Sequence, residues 1–357
     1  MKDFLIVGLG LAGISFSETL RNNNKEFDVI SDDSQNSSIV AGGMFNPVVL
    51  KRYSEVWKAK EQLNLALPLY EGIQNRLKIR VLNSLPVYRK FSSIEEQNNW
   101  FIAADKPNLA PFLSRELIKI NIPAIHSPFG FGEVLSSGYL DTKLLQESYA
   151  LHLKCNEQLI SEHFSYEKLE VLSDSVIYND ISYKNIVFAD GFGLHQNKYF
   201  NNLPLDGTKG ELLIIKAPDL KIDFILKSSI FIMPIGNDQY KVGATYNWND
   251  KTAVITEDGK IELLSELKQL IDCNFEIVNH FAGVRPTVRD RRPLVGQHFV
   301  HKNLYILNGL GTRGVMFGPF LADALFNSIY NDIELDKEIN INRIYKKLDI
   351  RILHKNA

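Results

Sequence analysis

Two glycine clusters are the parts of this chain whose residue types and spacing can do chemistry. Gly8-Leu9-Gly10-Leu11-Ala12-Gly13 and Gly309-Leu310-Gly311-Thr312-Arg313-Gly314 stand near opposite ends of the 357 residues. Each follows an apolar run of strand type, Phe4 to Val7 and Leu304 to Leu307, and each opens an apolar helical pattern. A backbone that must approach a pyrophosphate needs this order, because the start of a helix offers unpaired N–H groups and the positive end of its dipole. In the first cluster Gly8 permits the tight turn, Gly10 the close approach, and Gly13 tight packing of helix on strand. Two clusters, each with its own strand and helix, point to one extended cofactor gripped at both ends, FAD rather than NAD. They also predict a fold that closes only when the C-terminal strand returns to the N-terminal sheet.

The elements that must position these clusters can be read from periodicity. Phe4 to Val7 reads as a buried strand, Leu11 to Leu20 as a helix, and Phe27 to Ile30 as the next strand after the Asn22-Asn23-Asn24-Lys25 turn. At the end of that βαβ unit stand Ser31, Asp32 and Asp33, about 20 residues on, where a carboxylate bonds the ribose hydroxyls. Asp32 is the first choice, with Asp33 and Ser31 as alternatives, and an aspartate after a strand also serves turns. Ser54 to Leu77 reads as a helix kinked at Pro68, followed by strand-like Ile79 to Val81 and Leu85 to Tyr88. Trp100 to Phe131 shows only aromatics, prolines and short runs, and Asp141 is placed to cap a helix over Thr142 to Leu153. Asn185 to Phe188 is a buried strand that runs into Ala189-Asp190-Gly191, small residues that fit a large group lying against the backbone. Gly210 to Tyr246 alternates as antiparallel sheet with a turn at Gly236-Asn237-Asp238, and Lys260 to Ile271 reads as a helix.

The expected fold class is α/β, or α+β, with a Rossmann-like FAD-binding domain and an interleaved antiparallel-sheet substrate domain. Residues 1–80, 135–205 and 280–345 are assigned to the first, 81–134 and 206–279 to the second, and 346–357 to a C-terminal tail.

Composition narrows the function classes. Hydrophobic residues are 45% and charged residues 23%, ordinary for a globular enzyme. Lys plus Arg is 40 against Asp plus Glu at 42, so a net charge of -2 offers nucleic acid no electrostatic case. The most basic piece, Tyr345 to Arg351, reads as a solvated helix face. Cys155 and Cys273 lie far apart without CxxC spacing, which argues against a disulfide framework, a zinc site or an iron–sulfur cluster and for a reducing, cytoplasmic compartment. The apolar start is not expected to be a leader, since Asp3 breaks a cationic leader and Ser15 to Leu20 continues in helical period. No run of about 18 apolar residues is present, so no membrane span is expected.

The segments taken together resemble the FAD-dependent D-amino acid oxidase superfamily. They are Gly8 to Gly13, Ser38-Ile39-Val40-Ala41-Gly42-Gly43-Met44, Ala189-Asp190-Gly191, Gly283-Val284-Arg285-Pro286 with Asp290 and Pro293-Leu294-Val295-Gly296, and Asn308 to Pro319. They fall in that family's order across nearly the whole chain. The fit is best to the glycine oxidase branch and to the C-terminal oxidase half of the bifunctional enzyme that processes the wobble uridine of tRNA. Gly311-Thr312-Arg313-Gly314 is closest to the latter, whose methyltransferase half has no expected counterpart here.

The resemblance implies roles. Gly8, Gly10, Leu11, Ala12 and Gly13, then Ser38, Ala41, Gly42, Gly43 and Met44, then Ala189 and Gly191, are expected at FAD, with small residues pressed against the flavin. Gly311, Thr312, Arg313, Gly314, Val315 and Met316 are expected at the flavin pyrimidine, where a helix N-terminus stabilises negative charge. Arg285 is implied as the clamp on a substrate carboxylate, held by two parallel charge-assisted bonds, with a salt bridge to a nearby acid as the alternative. Arg313 is expected to add its charge at the flavin or to reach the substrate. Tyr246 and Trp248 are read as a pocket wall or as sheet core, and Arg289, Arg291 and Arg292 as surface. Relatives that bind flavin covalently use a histidine in the 38–44 loop or a cysteine after the Arg-Pro segment; Val40 stands at the first position, so noncovalent FAD is expected. The implied reaction is oxidation of a C–N bond in a small amino acid or N-substituted glycine, with O2 or another electron acceptor. A tRNA side-chain oxidase and a 2-hydroxy acid or other dehydrogenase are the alternatives. The oligomeric state stays open.

Overall fold

The structure is a computed structural model, and it describes residues 1–346 apart from 33, 35, 36 and 39. The expectations for Asp33 and Ile39, and for most of the C-terminal tail, lie outside the described residues.

The expected βαβ unit forms as Lys2–Val7, Leu11–Asn22 and Phe27–Ile30. Phe4, Leu5 and Ile6 are fully buried, which is why this strand shows a continuous apolar run and no alternation. Its parallel neighbours are Phe27–Ile30 on one side and Ile181–Phe188 on the other, and Ile181–Phe188 in turn pairs in parallel with Leu304–Asn308. The C-terminal strand therefore does return to the N-terminal sheet, and the mixed α/β architecture is as expected. Helix Leu11–Asn22 packs on helix Gly314–Tyr330, so the two glycine-led helices lie side by side.

The second sheet has eight strands, in the order Glu276–Arg285, Thr208–Lys216, Gln239–Gly243, Phe231–Gly236, Ile225–Lys227, Val87–Lys90, Phe131–Val134, Leu113–Ile118. Strands from two separated stretches of sequence thus hydrogen-bond into one surface, and the pair that joins them, Ile225–Lys227 with Val87–Lys90, is parallel in a sheet expected to be antiparallel. Residues 280–285, expected in the first domain, continue this sheet, because Arg285 is still in register with Thr208. A strand cannot leave its ladder midway without orphaning backbone groups, so the crossing falls after Arg285.

Other boundaries moved for local reasons. Ser54–Glu55 is a short strand, and the helix spans Ala59–Leu77 and runs unbroken through Pro68. Leu82–Ser84 and Val87–Lys90 are strands where Ile79 to Val81 and Leu85 to Tyr88 were expected. Within 100–131 the chain forms the end of a helix, Ile94–Ala104, whose Ser93 cap bonds Glu96 N, and the strand Leu113–Ile118. Thr142–Cys155 and its Asp141 cap match expectation, and the helix expected over Lys260 to Ile271 spans Glu257–Lys268, starting at its Thr256 cap. Among the described residues no helix is long and apolar enough to cross a membrane.

Candidate functional site

Where the two sheets face each other, they enclose a cleft of about 330 Å³. Its walls include Gly8, Gly10, Leu11 and Ala12 from the first cluster, and Gly311, Thr312, Gly314 and Val315 from the second. Ser38, Ala41, Gly42, Gly43, Met44, Ala189 and Gly191 join them. Residues far apart in sequence are therefore brought to one cavity by the parallel strands and by the side-by-side helices.

Three expected residues do not line it. Gly13 lies behind the cleft, where an added Cβ would stand 2.0 Å from the Gly8 carbonyl oxygen. Packing of helix on strand was expected of it; its tightest contact is with the glycine turn that follows the strand, and the strand's Ile6 Cγ2 comes next at 3.6 Å. Met316 lies in the first turn of helix Gly314–Tyr330 and is buried in the core. Arg313 is the N-cap of that helix, and its guanidinium sits near Tyr246, Arg291 and Arg292. Burial lowers its pKa and the two neighbouring cations add to that, while Tyr246 opposes them.

The helix termini explain why this cleft suits an anionic cofactor. Ile94–Ala104, Thr142–Cys155 and Glu257–Lys268 are each capped by a side chain. Leu11–Asn22, Ala59–Leu77 and Gly314–Tyr330 have no side-chain cap at the N-terminus, and of these Leu11–Asn22 and Gly314–Tyr330 begin on the cleft wall. At these two cleft-side helix starts the first-turn amides not already bonded, and the positive dipole ends, are available to a ligand. Ser38 Oγ accepts a bond from Leu11 N at 3.2 Å and so stands at the same terminus. At Gly311 (φ +56°) an added Cβ would meet only Thr287 Oγ1, at 4.0 Å, so the backbone there borders open space that a bound cofactor can fill.

At the other end Ser31 and Asp32 line the cleft after strand Phe27–Ile30. Asp32 accepts bonds from Ser34 N at 3.0 Å and Ser34 Oγ at 2.5 Å, and faces His163 Nδ1 at 2.6 Å. Burial works against its ionisation, but the bonds from Ser34 and His163 outweigh it and hold the carboxyl below the usual aspartate range. Asp190 also lines the cleft and accepts from Asn197 Nδ2 at 2.9 Å and Asn308 Nδ2 at 2.8 Å. Burial pushes its pKa up to about 6.

Arg285 ends the edge strand of the antiparallel sheet and turns its guanidinium into the cleft. Nη1 donates to Lys209 O at 3.2 Å and Thr245 O at 3.3 Å, and the Tyr246 ring lies 4.5 Å from the guanidinium carbon. No carboxylate pairs with it among the described residues. Nearby acids are engaged elsewhere: Asp290, five residues on, with Arg343, and Asp206, brought close where its amide bonds Thr287 O, with Arg289. Burial lowers its pKa, as expected for a cation without a counter-ion. Tyr246 lines the cleft, and Trp248 does not.

Sequence reading missed the floor of this end. Gly210, Gly243 and Gly283 come from three adjacent strands and form a flat shelf, flanked by Leu212, Phe231 and Lys227. Gly42 presses on this floor, since its Cβ would stand 2.9 Å from Phe231 Cζ. Glycines inside alternating strands were the available signal. At Gly210 an added Cβ would meet Arg285 Nη2 at 1.9 Å, so the guanidinium occupies the space this glycine leaves. Gly210→Ala is therefore expected to keep bound FAD and displace Arg285, weakening carboxylate ligands by at least tenfold in a titration followed by flavin absorbance. Unchanged ligand affinity would contradict this placement.

Comparison with known proteins agrees with the geometry. The sequence pattern of the DAO family, FAD dependent oxidoreductase, matches residues 3–327. The chain is 28% identical over 188 residues to the tRNA 5-methylaminomethyl-2-thiouridine biosynthesis bifunctional protein MnmC of Shewanella sediminis, covering 42% of this chain and 26% of that protein. It is 21% identical over 230 residues to the glycine oxidase of Bacillus subtilis, covering 60% of each. Both matches thus span less than two thirds of the relative's length. Among solved structures, the glycine oxidase from Bacillus cereus ATCC 14579 superposes with a TM-score of 0.76 at 16% identity, covering 94% of this chain and 96% of that one. The iminodiacetate oxidase from Chelativorans sp. BNC1 gives the same TM-score and identity, covering 94% and 98%. At such identities these two show a shared fold.

Proposed function

The chain belongs to the DAO family of FAD dependent oxidoreductases, and from that premise we propose that it oxidises the C–N bond of a small amino acid or N-substituted glycine. The observation that carries this reading is Arg285, a guanidinium in the cleft with no carboxylate partner among the described residues. When bound, FAD supplies the two-electron acceptor for a hydride leaving the substrate Cα.

The residues of this chain bind and orient. Arg285 holds the substrate carboxylate through its planar fork, and Tyr246, stacked on it, restricts its swing. Fixing the carboxylate fixes the Cα hydrogen, which converts an encounter into a positioned reaction. The unpaired amides of helices Leu11–Asn22 and Gly314–Tyr330 hold the anionic parts of the cofactor, and Asp32 holds the ribose. The parallel sheet and its helices serve as the cofactor domain and the antiparallel sheet as the substrate domain. The names of the superposed glycine and iminodiacetate oxidases are in keeping with this substrate class.

Anaerobic mixing with a panel of amino acids and N-substituted glycines tests the reading. Bleaching of the flavin by at least one carboxylate-bearing amine is expected, and failure of all of them overturns it. The 28% identity to MnmC favours a second reading, a secondary amine on a tRNA nucleobase, for which only tRNA would bleach the flavin.

FAD is expected to be noncovalent. The loop at 38–44 contains no histidine, and neither Cys155 nor Cys273 lines the cleft. Acid precipitation should release all flavin to the supernatant, and colour kept in the pellet would contradict this.

A further inference from the structure

The cleft holds a second cation that binding one carboxylate does not use. Lys227 ends strand Ile225–Lys227 and stands opposite Phe231, which stands opposite Gly243, which stands opposite Leu212. Directly opposed residues share a sheet face, and all four line the cleft. The Lys227 ammonium makes one long bond, to Ser229 O at 3.3 Å, and no carboxylate pairs with it among the described residues. The acid on the adjoining helix, Glu96, is consumed: Oε1 takes Arg89 Nε and Nη2, and Oε2 takes Ser92 N and Oγ. Arg89 itself is in register with Lys227 on the next strand, so the neighbouring side chain repels the ammonium. Burial, with Arg89 adding to it, pushes the Lys227 pKa down to about 8. Lys227 is half-buried, and an ammonium drawn partly out of water without a counter-ion gains from a ligand that supplies the anion.

Resting on the amine-oxidation reading above, we propose that Lys227 binds an anionic group at the end of the substrate's nitrogen substituent. The substrate class is then a glycine or small amino acid whose nitrogen carries an arm ending in a carboxylate or phosphate. The spacing sets the arm's length. The Arg285 guanidinium lies over Gly210, and the strands of Gly210 and Lys227 are three steps apart in the sheet. At roughly 4.8 Å per step, with an offset of two residues along the strands because Lys227 stands level with Leu212, that is about 16 Å, and the reach of the lysine leaves on the order of 10 Å between the two anions. A short diacid cannot span this gap, whereas an arm of about five carbons can.

The test uses the FAD-loaded enzyme and three ligands of matched length: N-(4-carboxybutyl)glycine, N-(4-phosphonobutyl)glycine and the uncharged N-(4-carbamoylbutyl)glycine. Affinity is read from the change in flavin absorbance, and oxidation from anaerobic bleaching. At least one anionic arm should bind tenfold or more tightly than the amide arm, and the tighter of the two anions names the group. Lys227→Met should abolish that preference without altering affinity for sarcosine, and Lys227→Arg should keep most of it. Equal binding of charged and uncharged arms by the unmodified enzyme overturns the proposal whether or not any variant folds. So does a preference that survives Lys227→Met, or a Lys227→Met effect seen only on tRNA binding. Anion-selective binding in which the armed ligands do not bleach the flavin while another amine does also overturns the proposed substrate class, and bleaching by no amine at all sinks the oxidation reading while leaving the Lys227 site standing.

Discussion

Arg285→Ala is expected to keep its fold and its FAD and to lose flavin reduction by carboxylate-bearing amines. The guanidinium contributes no salt bridge to the protein among the described residues; its bonds go to two backbone carbonyls at 3.2 and 3.3 Å. Removing it therefore breaks little in the native state and relieves the cost of burying an unpaired cation. With substrate bound the balance reverses, because truncating one side of a buried charge pair typically costs 2–5 kcal/mol. That corresponds to a fall of roughly 30- to 4000-fold in kcat/KM. Arg285→Lys should recover only part of this, since a lysine keeps the charge but loses the planar fork. A carboxylate-free amine, where one is oxidised, should be little affected. Stopped-flow reduction across these variants is the measurement, and an Arg285→Ala enzyme that reduces at the unmodified rate would show that another group holds the substrate.

Gly13→Ala is expected to empty the cofactor cleft and destabilise the protein. Helix propensity argues the other way: alanine in a helix is favoured over glycine by about 1 kcal/mol. The contact decides the sign. A Cβ at position 13 would stand 2.0 Å from the Gly8 carbonyl oxygen and 3.0 Å from its carbon, and both are backbone atoms that no rotamer change can move aside. Helix Leu11–Asn22 would have to withdraw from the Gly8 turn. Overpacking of this kind typically costs 1–3 kcal/mol, which outweighs the propensity gain. Because the amides of that turn and of the helix start form one wall of the cleft, their separation should cost FAD affinity as well. Purified Gly13→Ala protein should carry less flavin and melt at a lower temperature. A fully loaded protein with a raised Tm would show that propensity governs the site.

The glycine-lined half of the cleft was legible because each of its constraints is local. A glycine cluster between a buried strand and a helix carries its own geometry, so both clusters, the strand Phe27–Ile30 before Asp32, and the small residues after Phe188 could be read from neighbours in sequence. Asp141 was likewise readable as a cap because the bond it accepts, from Leu144 N, spans three residues. The irregular 100–131 region was not: the aromatic residues that make it look disordered in period are core, with Trp100 fully buried against Phe91 at 5.6 Å.

What only the tertiary structure decided lies on the antiparallel sheet. Whether Arg285 meets an acid or an open cleft depends on Asp290 and Asp206 finding other partners and on Gly210 leaving room one strand away. Whether Lys227 is an ordinary surface lysine or a half-buried cation without a counter-ion depends on Glu96 being taken by Arg89 from a strand more than 130 residues earlier in the chain. Sequence alone determined the chemistry of the cofactor, since a pyrophosphate is recognised by backbone geometry that short motifs encode. The shape and charge of the substrate end arise from cross-strand register, and register between distant strands is set by which faces the whole sheet buries.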